Sequence, residues 1–186
     1  MEKIALINIL LYFIFPLWIL VGFLDWLCHR RTHLAHNSGV KESLIHSLMF
    51  LEIGIPVSAG LILEITPLLL IFMILMFLIH EITAMWDVSY AVKYRYISPV
   101  EQHIHSFLEL LPLFALLIVV ALHWDAFMAI FDGVLTDGKP VLRLKDNPIP
   151  LSYLVPLFTG ILFLLVLPFI EELWRSAKLK KSTTNS

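Results

Sequence analysis

"IALINILLYFIFPLWILVGFLDWLCHRRTHLAH", residues 4–36, decides the fold class. From Ile4 to Leu24 no residue carries a charge, and a membrane-crossing helix needs ~20 mostly apolar residues. No small-x-small cleavage site precedes the polar cluster, so the run reads as a membrane helix and not as a signal peptide. The stretch then changes character. Asp25, His29, His33 and His36 follow within one short reach of chain, together with Arg30 and Arg31.

The rest of the chain repeats the apolar theme. Of its 186 residues 59% are hydrophobic, and the mean hydropathy is +0.87. A soluble domain is closer to half apolar. The reading is an all-α integral membrane protein with five transmembrane helices at about 4–24, 44–64, 67–86, 104–124 and 151–173, forming one transmembrane domain over 1–174. Pro67 and Ser98-Pro99 mark helix starts. Residues 125–150 read as a long loop with Asp-Gly, Lys-Pro and Asn-Pro turn signals and a short strand at "KPVLRL". Residues 175–186 read as a basic tail that frays. A net charge of −2 gives no field for nucleic acid. The single cysteine, Cys28, excludes an internal disulfide.

Lys and Arg set the orientation. Nine of them (Arg30, Arg31, Lys41, Lys93, Arg95, Arg175, Lys178, Lys180, Lys181) fall on one side, and four (Lys3, Lys139, Arg143, Lys145) on the other. This predicts an N-terminus outside and a C-terminus in the cytoplasm, in a bacterial inner membrane. Seven of the eight histidines then lie in the cytoplasmic half, joined by Asp25, Glu42, Glu52, Glu81, Asp87, Glu101 and Glu109. Ionisable groups inside spans are costly and face a bundle interior or a cavity.

Helical spacing groups them. Asp25, His29, His33 and His36 share a face if the first helix continues; so do Glu42 with His46, His80 with Asp87, and Glu101 with His105 and Glu109. At ~1.5 Å per residue, His29, His46 and His105 sit at one level, ~6 Å below a rim of His33, Glu42, Asp87 and Glu101. "ESLIHS" (42–47) and "EQHIHS" (101–106) match at Glu, Ile, His and Ser. The expected architecture is therefore two parallel helical hairpins. Helices one to four form a four-helix bundle around a polar cytoplasmic-side site, and helix five, without histidine, is scaffold.

Histidine with carboxylate and no thiolate suits iron, manganese or zinc, and the abundance of carboxylates argues for iron or manganese; two iron ions are expected, with manganese and zinc as alternatives and haem behind them. The expected metal ligands are His29, His33, Glu42, His46, His80, Asp87, Glu101, His105 and Glu109. Asp25 and Glu52 are the expected orienting or proton-relay groups of catalysis. A lipid-like or quinone substrate, membrane lipid and an electron donor are the expected partners. The function expected is a di-iron, O2-dependent oxidase, hydroxylase or desaturase. The alternatives are a non-catalytic metal-, haem- or quinone-binding protein and a membrane zinc hydrolase.

At His29-x-x-x-His33 and the other cytoplasmic-side histidines the chain resembles the membrane-bound fatty-acid hydroxylase and desaturase superfamily, which gathers histidine motifs from a few helices around a dimetal site. The paired His-His elements of that superfamily are absent here. "EQHIHSFLELLP" and "HRRTH" also resemble stretches of an uncharacterised bacterial integral membrane protein family, a resemblance that implies no activity.

Overall fold

The computed structural model describes residues 1–135 and 142–184, the last three of these by backbone alone. Five helices are long and apolar enough to cross a membrane: α1 Glu2–Arg31, α3 Gly39–Ile62, α4 Pro67–Ala91, α5 Pro99–Leu122 and α7 Leu151–Lys181. Two short helices, α2 Leu34–Asn37 and α6 Trp124–Phe131, join them. Their boundaries follow local chemistry. Thr66 and Ser98 each accept the backbone N–H three residues on, at 3.2 Å, and Pro67 and Pro99 occupy the first helical position. Such a cap contributes about 1 kcal/mol. Ser98→Ala is expected to lower the thermal midpoint by about 2–4 °C, read by a melt of the detergent-solubilised protein.

The helices overrun the predicted spans at the polar end, so the ionisable residues there stand on helix and not in loops. Two loop expectations change. The segment after the fourth span begins with α6, whose Phe127 and Ile130 pack on the cluster of Ile65, Leu69 and Leu70. The chain beyond Trp174 is helical, and the backbone of residues 182–184 extends α7 from Lys181 to Thr184. The first half of "KPVLRL", residues 139–141, lies outside the described residues. Its described end makes an isolated pairing of Leu144 with Leu63, flanked by Glu64 N–H to Arg143 C=O and Lys145 N–H to Ile62 C=O.

Helix packing departs from the two-hairpin expectation. α1 packs on α5 and α7, α3 packs on α4 and α7, and α4 packs on α5. The ring therefore runs α1–α5–α4–α3–α7, with the fifth span wedged between the first and second. Gly22 permits this approach: a Cβ there would lie 2.7 Å from a methyl of Leu165 on α7.

The distribution of side chains is the reverse of a soluble domain. Leu51, Leu75, Ile82, Met85 and Phe163 face outward and are exposed, while Asp25, Glu42, Glu52, Asp87, Glu101 and Glu172 are buried. With five membrane-length helices, this is the pattern expected of an integral membrane protein.

Candidate metal centre

Each long helix delivers its polar residues from the same end of the ring. α1 supplies Asp25 and His29, one turn apart. The helix stops at Arg31. Thr32 donates its hydroxyl back to the Cys28 carbonyl at 3.0 Å, and His33 adopts a left-handed conformation with φ 55°. That reversal ends the face on which Asp25, His29, His33 and His36 were expected to align. His33 and His36 are exposed, so the structure does not bring His33 to the cluster. α3 supplies Glu42 and His46, α4 supplies Asp87, α5 supplies Glu101 and His105, and α7 supplies Glu172.

Glu172 is the residue that organises the site, and it comes from the helix expected to be scaffold. It is fully buried. His29 Nδ1–H donates to its Oε2 at 3.0 Å and His46 Nδ1–H donates to its Oε1 at 3.1 Å. The two imidazoles stack with centroids 4.4 Å apart and planes 13° from parallel. An ionised carboxylate only accepts, so both Nδ1 atoms carry a proton, and a ring in its neutral form then keeps its lone pair on Nε2. A carboxylate that fixes a ligating histidine in this way is the usual support of a metal site; here one carboxylate fixes two.

Both Nε2 atoms then point at further carboxylates. His29 Nε2 is 3.3 Å from Asp25 Oδ1, His46 Nε2 is 3.2 Å from Asp87 Oδ2, and His105 Nε2 is 3.0 Å from the same Asp25 oxygen. His105 can donate to Asp25 as an ordinary Nε2–H tautomer. His29 and His46, with Nδ1 already donating to Glu172, meet Asp25 and Asp87 either through a second proton, as in a His46 Nε2–H to Asp87 hydrogen bond at 3.2 Å, or through a cation. Ligands ~2.1 Å from an ion and at right angles to each other are ~3 Å apart. Ligand atoms of Asp25, His29 and His105 lie within 4.8 Å of one another, and so do those of His29, Glu42 and His46. Among the described residues, His29 Nε2, Asp25 Oδ1, Asp87 Oδ1 and Glu101 Oε2 are buried without a hydrogen-bond partner. A small chamber of about 40 Å³, lined by Asp25, His46, His80, Asp87, His105 and Glu109, lies beside this group; His29 and Glu101 do not line it.

Arg95 closes the end of the site. The connection 92–98 folds it inward, 7% exposed, where it binds Glu42 through Nε (3.0 Å) and Nη2 (2.5 Å) and Glu101 through Nη1 (2.5 Å). Burial alone would lower the proton affinity of the guanidinium, but the hydrogen bonds and charge of Glu42, followed by Glu101, outweigh it and raise it above its ordinary value. Glu42 and Glu101 thus serve a guanidinium as well as facing His46 and His29, at 3.9 and 3.7 Å.

The remaining expected residues lie to one side. Glu52 accepts from the Thr83 hydroxyl at 2.8 Å and is 3.7 Å from His80 Nδ1. Glu109 is half-buried at the chamber wall. Asp25, expected to orient a ligand, stands among the potential ligand atoms themselves. Two residues escaped the sequence reading. Glu172 carried a signal, an acidic residue near the end of an apolar span. Arg95 carried none, because nothing local separates it from the neighbouring Lys93.

Beside the chamber lies an apolar cavity of about 500 Å³. It shares Asp25, His46 and His80 with the chamber and extends along Phe15, Trp18, Ile53 and Phe169. Its wall includes Leu51 and Ile55 of α3, which are themselves exposed on the outer surface of the ring.

Fold and site together define a helical chain of membrane-length spans with a buried histidine–carboxylate cluster at one end. It matches no protein-family model, no curated protein and no solved structure. Its functional reading therefore rests on its own residues.

Proposed function

We propose that the protein is a membrane-embedded di-metal enzyme, with two iron ions, that uses O2 to oxidise a lipid-like substrate. The observation that carries this reading is the pair of stacked imidazoles whose Nδ1 atoms are both tied to Glu172. Their Nε2 atoms face Asp25 and Asp87 at 3.3 and 3.2 Å, and a cation between each pair would satisfy both partners. Two protons in place of two metal ions would put imidazolium charges face to face. The charge balance points the same way. Six buried carboxylates (Asp25, Glu42, Glu52, Asp87, Glu101, Glu172) converge on one end of the ring with one buried guanidinium among the described residues.

Asp25, His29 and His105 would hold one ion; His46, Asp87 and Glu42 would hold the other. The 4.4 Å ring spacing is of the same order as the ~3.5–4 Å between paired metal ions. Oxygen-rich ligands with imidazole and no thiolate favour iron or manganese. When bound, the ions would supply O2 activation, with electrons from an external donor. The chain's own contribution is to fix the imidazoles, to keep the chamber small, and to present Glu52 and His80 as a proton-relay pair at its wall. The apolar cavity would bring a hydrocarbon group against the chamber. Haem is disfavoured, because face-stacked His29 and His46 cannot approach one iron from opposite sides. With the excess of Lys and Arg at the polar end, the site would face the cytoplasm of a bacterial inner membrane. The resemblance to the fatty-acid hydroxylase and desaturase superfamily is consistent with this chemistry.

Elemental analysis of the detergent-purified protein tests the proposal. About two irons per chain without a Soret band is expected. His105→Ala is expected to release at least half of the metal from protein that still inserts. His33→Ala is expected to release none, since His33 is exposed. Zinc alone would redirect the reading to hydrolysis, and no metal in freshly purified protein would sink it.

A further inference from the structure

The apolar cavity beside the chamber carries one polar group that the metal centre does not use. Its walls are aromatic and aliphatic, with Trp18, Phe50, Phe158 and Phe169 among them. Apart from the Trp18 indole, four lining side chains are polar: Asp25, His46, Ser58 and His80. Asp25 faces His29 and His105, and His46 is held between Glu172 and Asp87. Ser58 stands roughly 18 Å beyond His46 along α3. His80 is left. It is 6% exposed and lines the cavity and the chamber alike. Both its ring nitrogens are buried without a hydrogen-bond partner among the described residues, with the Met49 carbonyl beside the ring. Nδ1 is 3.7 Å from Glu52 Oε2, which is also unpartnered, while Glu52 Oε1 accepts from the Thr83 hydroxyl. Buried polar groups are normally paired, so an imidazole left open beside a cavity points to a ligand.

The surroundings restrict that ligand. No Lys or Arg lines the cavity, and Asp25 stands at its inner end, so a carboxylate or phosphate head finds no counter-charge. His80 lies seven residues, ~10 Å, along α4 from Asp87, well inside a membrane-length helix. A charged head is costly at that depth. A neutral imidazole offers one N–H and one lone pair, so it can donate to a carbonyl or accept from a hydroxyl. The head that matches is neutral and exchanges one of these oxygen groups for the other. A flat ring suits the aromatic walls. A quinone and its quinol meet all three conditions.

Size and access agree. The volume of about 500 Å³ lies within the ~300–1,000 Å³ of small-molecule sites. Leu51 and Ile55 line the cavity and are exposed on the outer face of the ring, which places the lipid phase beside it. α7 takes an i→i+5 turn at Leu162–Val166, and Leu165 and Val166 of that turn form part of the wall. Such turns are frequent at functional sites.

We propose that the substrate is a membrane quinol, its ring in this cavity and one oxygen hydrogen-bonded to His80. Turnover rests on the di-metal reading; binding of the ring does not. Each quinol breaks two O–H bonds and gives up two electrons and two protons. Two quinols reduce one O2 to two waters and leave as two quinones. His80 takes the proton of the hydroxyl it binds, and Glu52 stands behind Nδ1 to receive one in turn.

Equilibrium binding of tritiated decylbenzoquinone to the purified, full-length protein tests this, before and after a chelator removes metal. Decylbenzene, with the same tail and a ring without oxygen, and stearate are the competitors. Decylbenzene should displace the probe roughly tenfold less well than unlabelled quinone, the loss of one good hydrogen bond. Stearate should be no better. His80→Phe should erase the difference by weakening the quinone alone, and His80→Gln, which keeps a donor and an acceptor, should retain part of it. A Cβ at Gly54, a lining residue, would meet only the Phe50 ring, at 3.8 Å, so Gly54→Leu should fill the cavity and weaken both ligands. Equal displacement by decylbenzene, tighter binding of stearate, or an unchanged ratio in folded His80→Phe overturns the proposal. With metal bound, decylbenzoquinol should consume one O2 for every two quinols; no uptake by protein that holds metal and binds quinol removes its role as substrate. Metal without quinone preference leaves the metal centre and removes the quinol. Quinone preference in freshly purified protein without metal leaves the binding site and removes the oxidase.

Discussion

Glu172→Ala is expected to lose bound metal while the protein remains folded and inserted. Removing a carboxylate that supports one ligating histidine costs ~10–100-fold in metal affinity. Glu172 supports two, and each is a ligand of a different ion in the proposed centre. Without it, His29 and His46 lose their shared acceptor, both rings are free to turn, and the tautomer that leaves Nε2 available is no longer selected. The loss should therefore reach the upper end of that range or exceed it, read as metal retained through a chelator titration. Glu172→Gln should fall between, because its amide can accept from one ring but not from both. Glu171→Ala is the control. Glu171 pairs with Arg175 at 3.1 Å and Arg30 at 3.5 Å on a partly exposed face, where such pairs contribute ~0–1 kcal/mol. Metal retention in Glu172→Ala equal to that in Glu171→Ala would remove the central argument for the site.

The spans were legible because lipid solvation imposes one simple pattern, long apolar runs, which local composition records. The polar level was also legible. Histidines four residues from carboxylates on one helix face had to stand near each other, and rise per residue put His29, His46 and His105 at one depth. In the structure His29 and His105 rings are 6.1 Å apart, with His46 stacked on His29. What composition could not show was which helix stands beside which. The two-hairpin expectation came from the echo between residues 42–47 and 101–106, a relation along the chain. The ring order is decided by close approaches such as Gly22 against Leu165, which have no local signature. His33 was misplaced for a related reason. Its spacing from His29 is helical, but the backbone reverses between them, and no glycine or proline marks the reversal. Attention to histidine also hid Glu172, although an acid that near the end of an apolar span had to be paired with something.

Arg95→Met is expected to destabilise the protein most among single changes outside the proposed ligands. The guanidinium holds Glu42 and Glu101, both fully buried, and removing one partner of a buried ion pair costs about 3–5 kcal/mol because the other charge is left uncompensated. Here two carboxylates are left. Arg95→Lys should recover only part of the loss, since an ammonium cannot reach both carboxylates with the planar fork that binds Glu42 through two nitrogens and Glu101 through a third. Arg95 stays charged at every pH the fold survives, because its proton affinity is raised above an already high ordinary value. The contribution of its positive charge should therefore be flat across neutral pH, with no loss until pH rises through that raised value. If charge balance is the reason, neutralising the partners must repair the defect: Arg95→Met combined with Glu42→Gln and Glu101→Gln should melt nearer to the wild type than Arg95→Met alone. A triple variant as unstable as the single one would mean that Arg95 acts by filling space under the 92–98 connection. Bound metal separates the roles further. If Glu42 is a ligand as well as a partner of Arg95, the triple variant should recover its stability without recovering its metal.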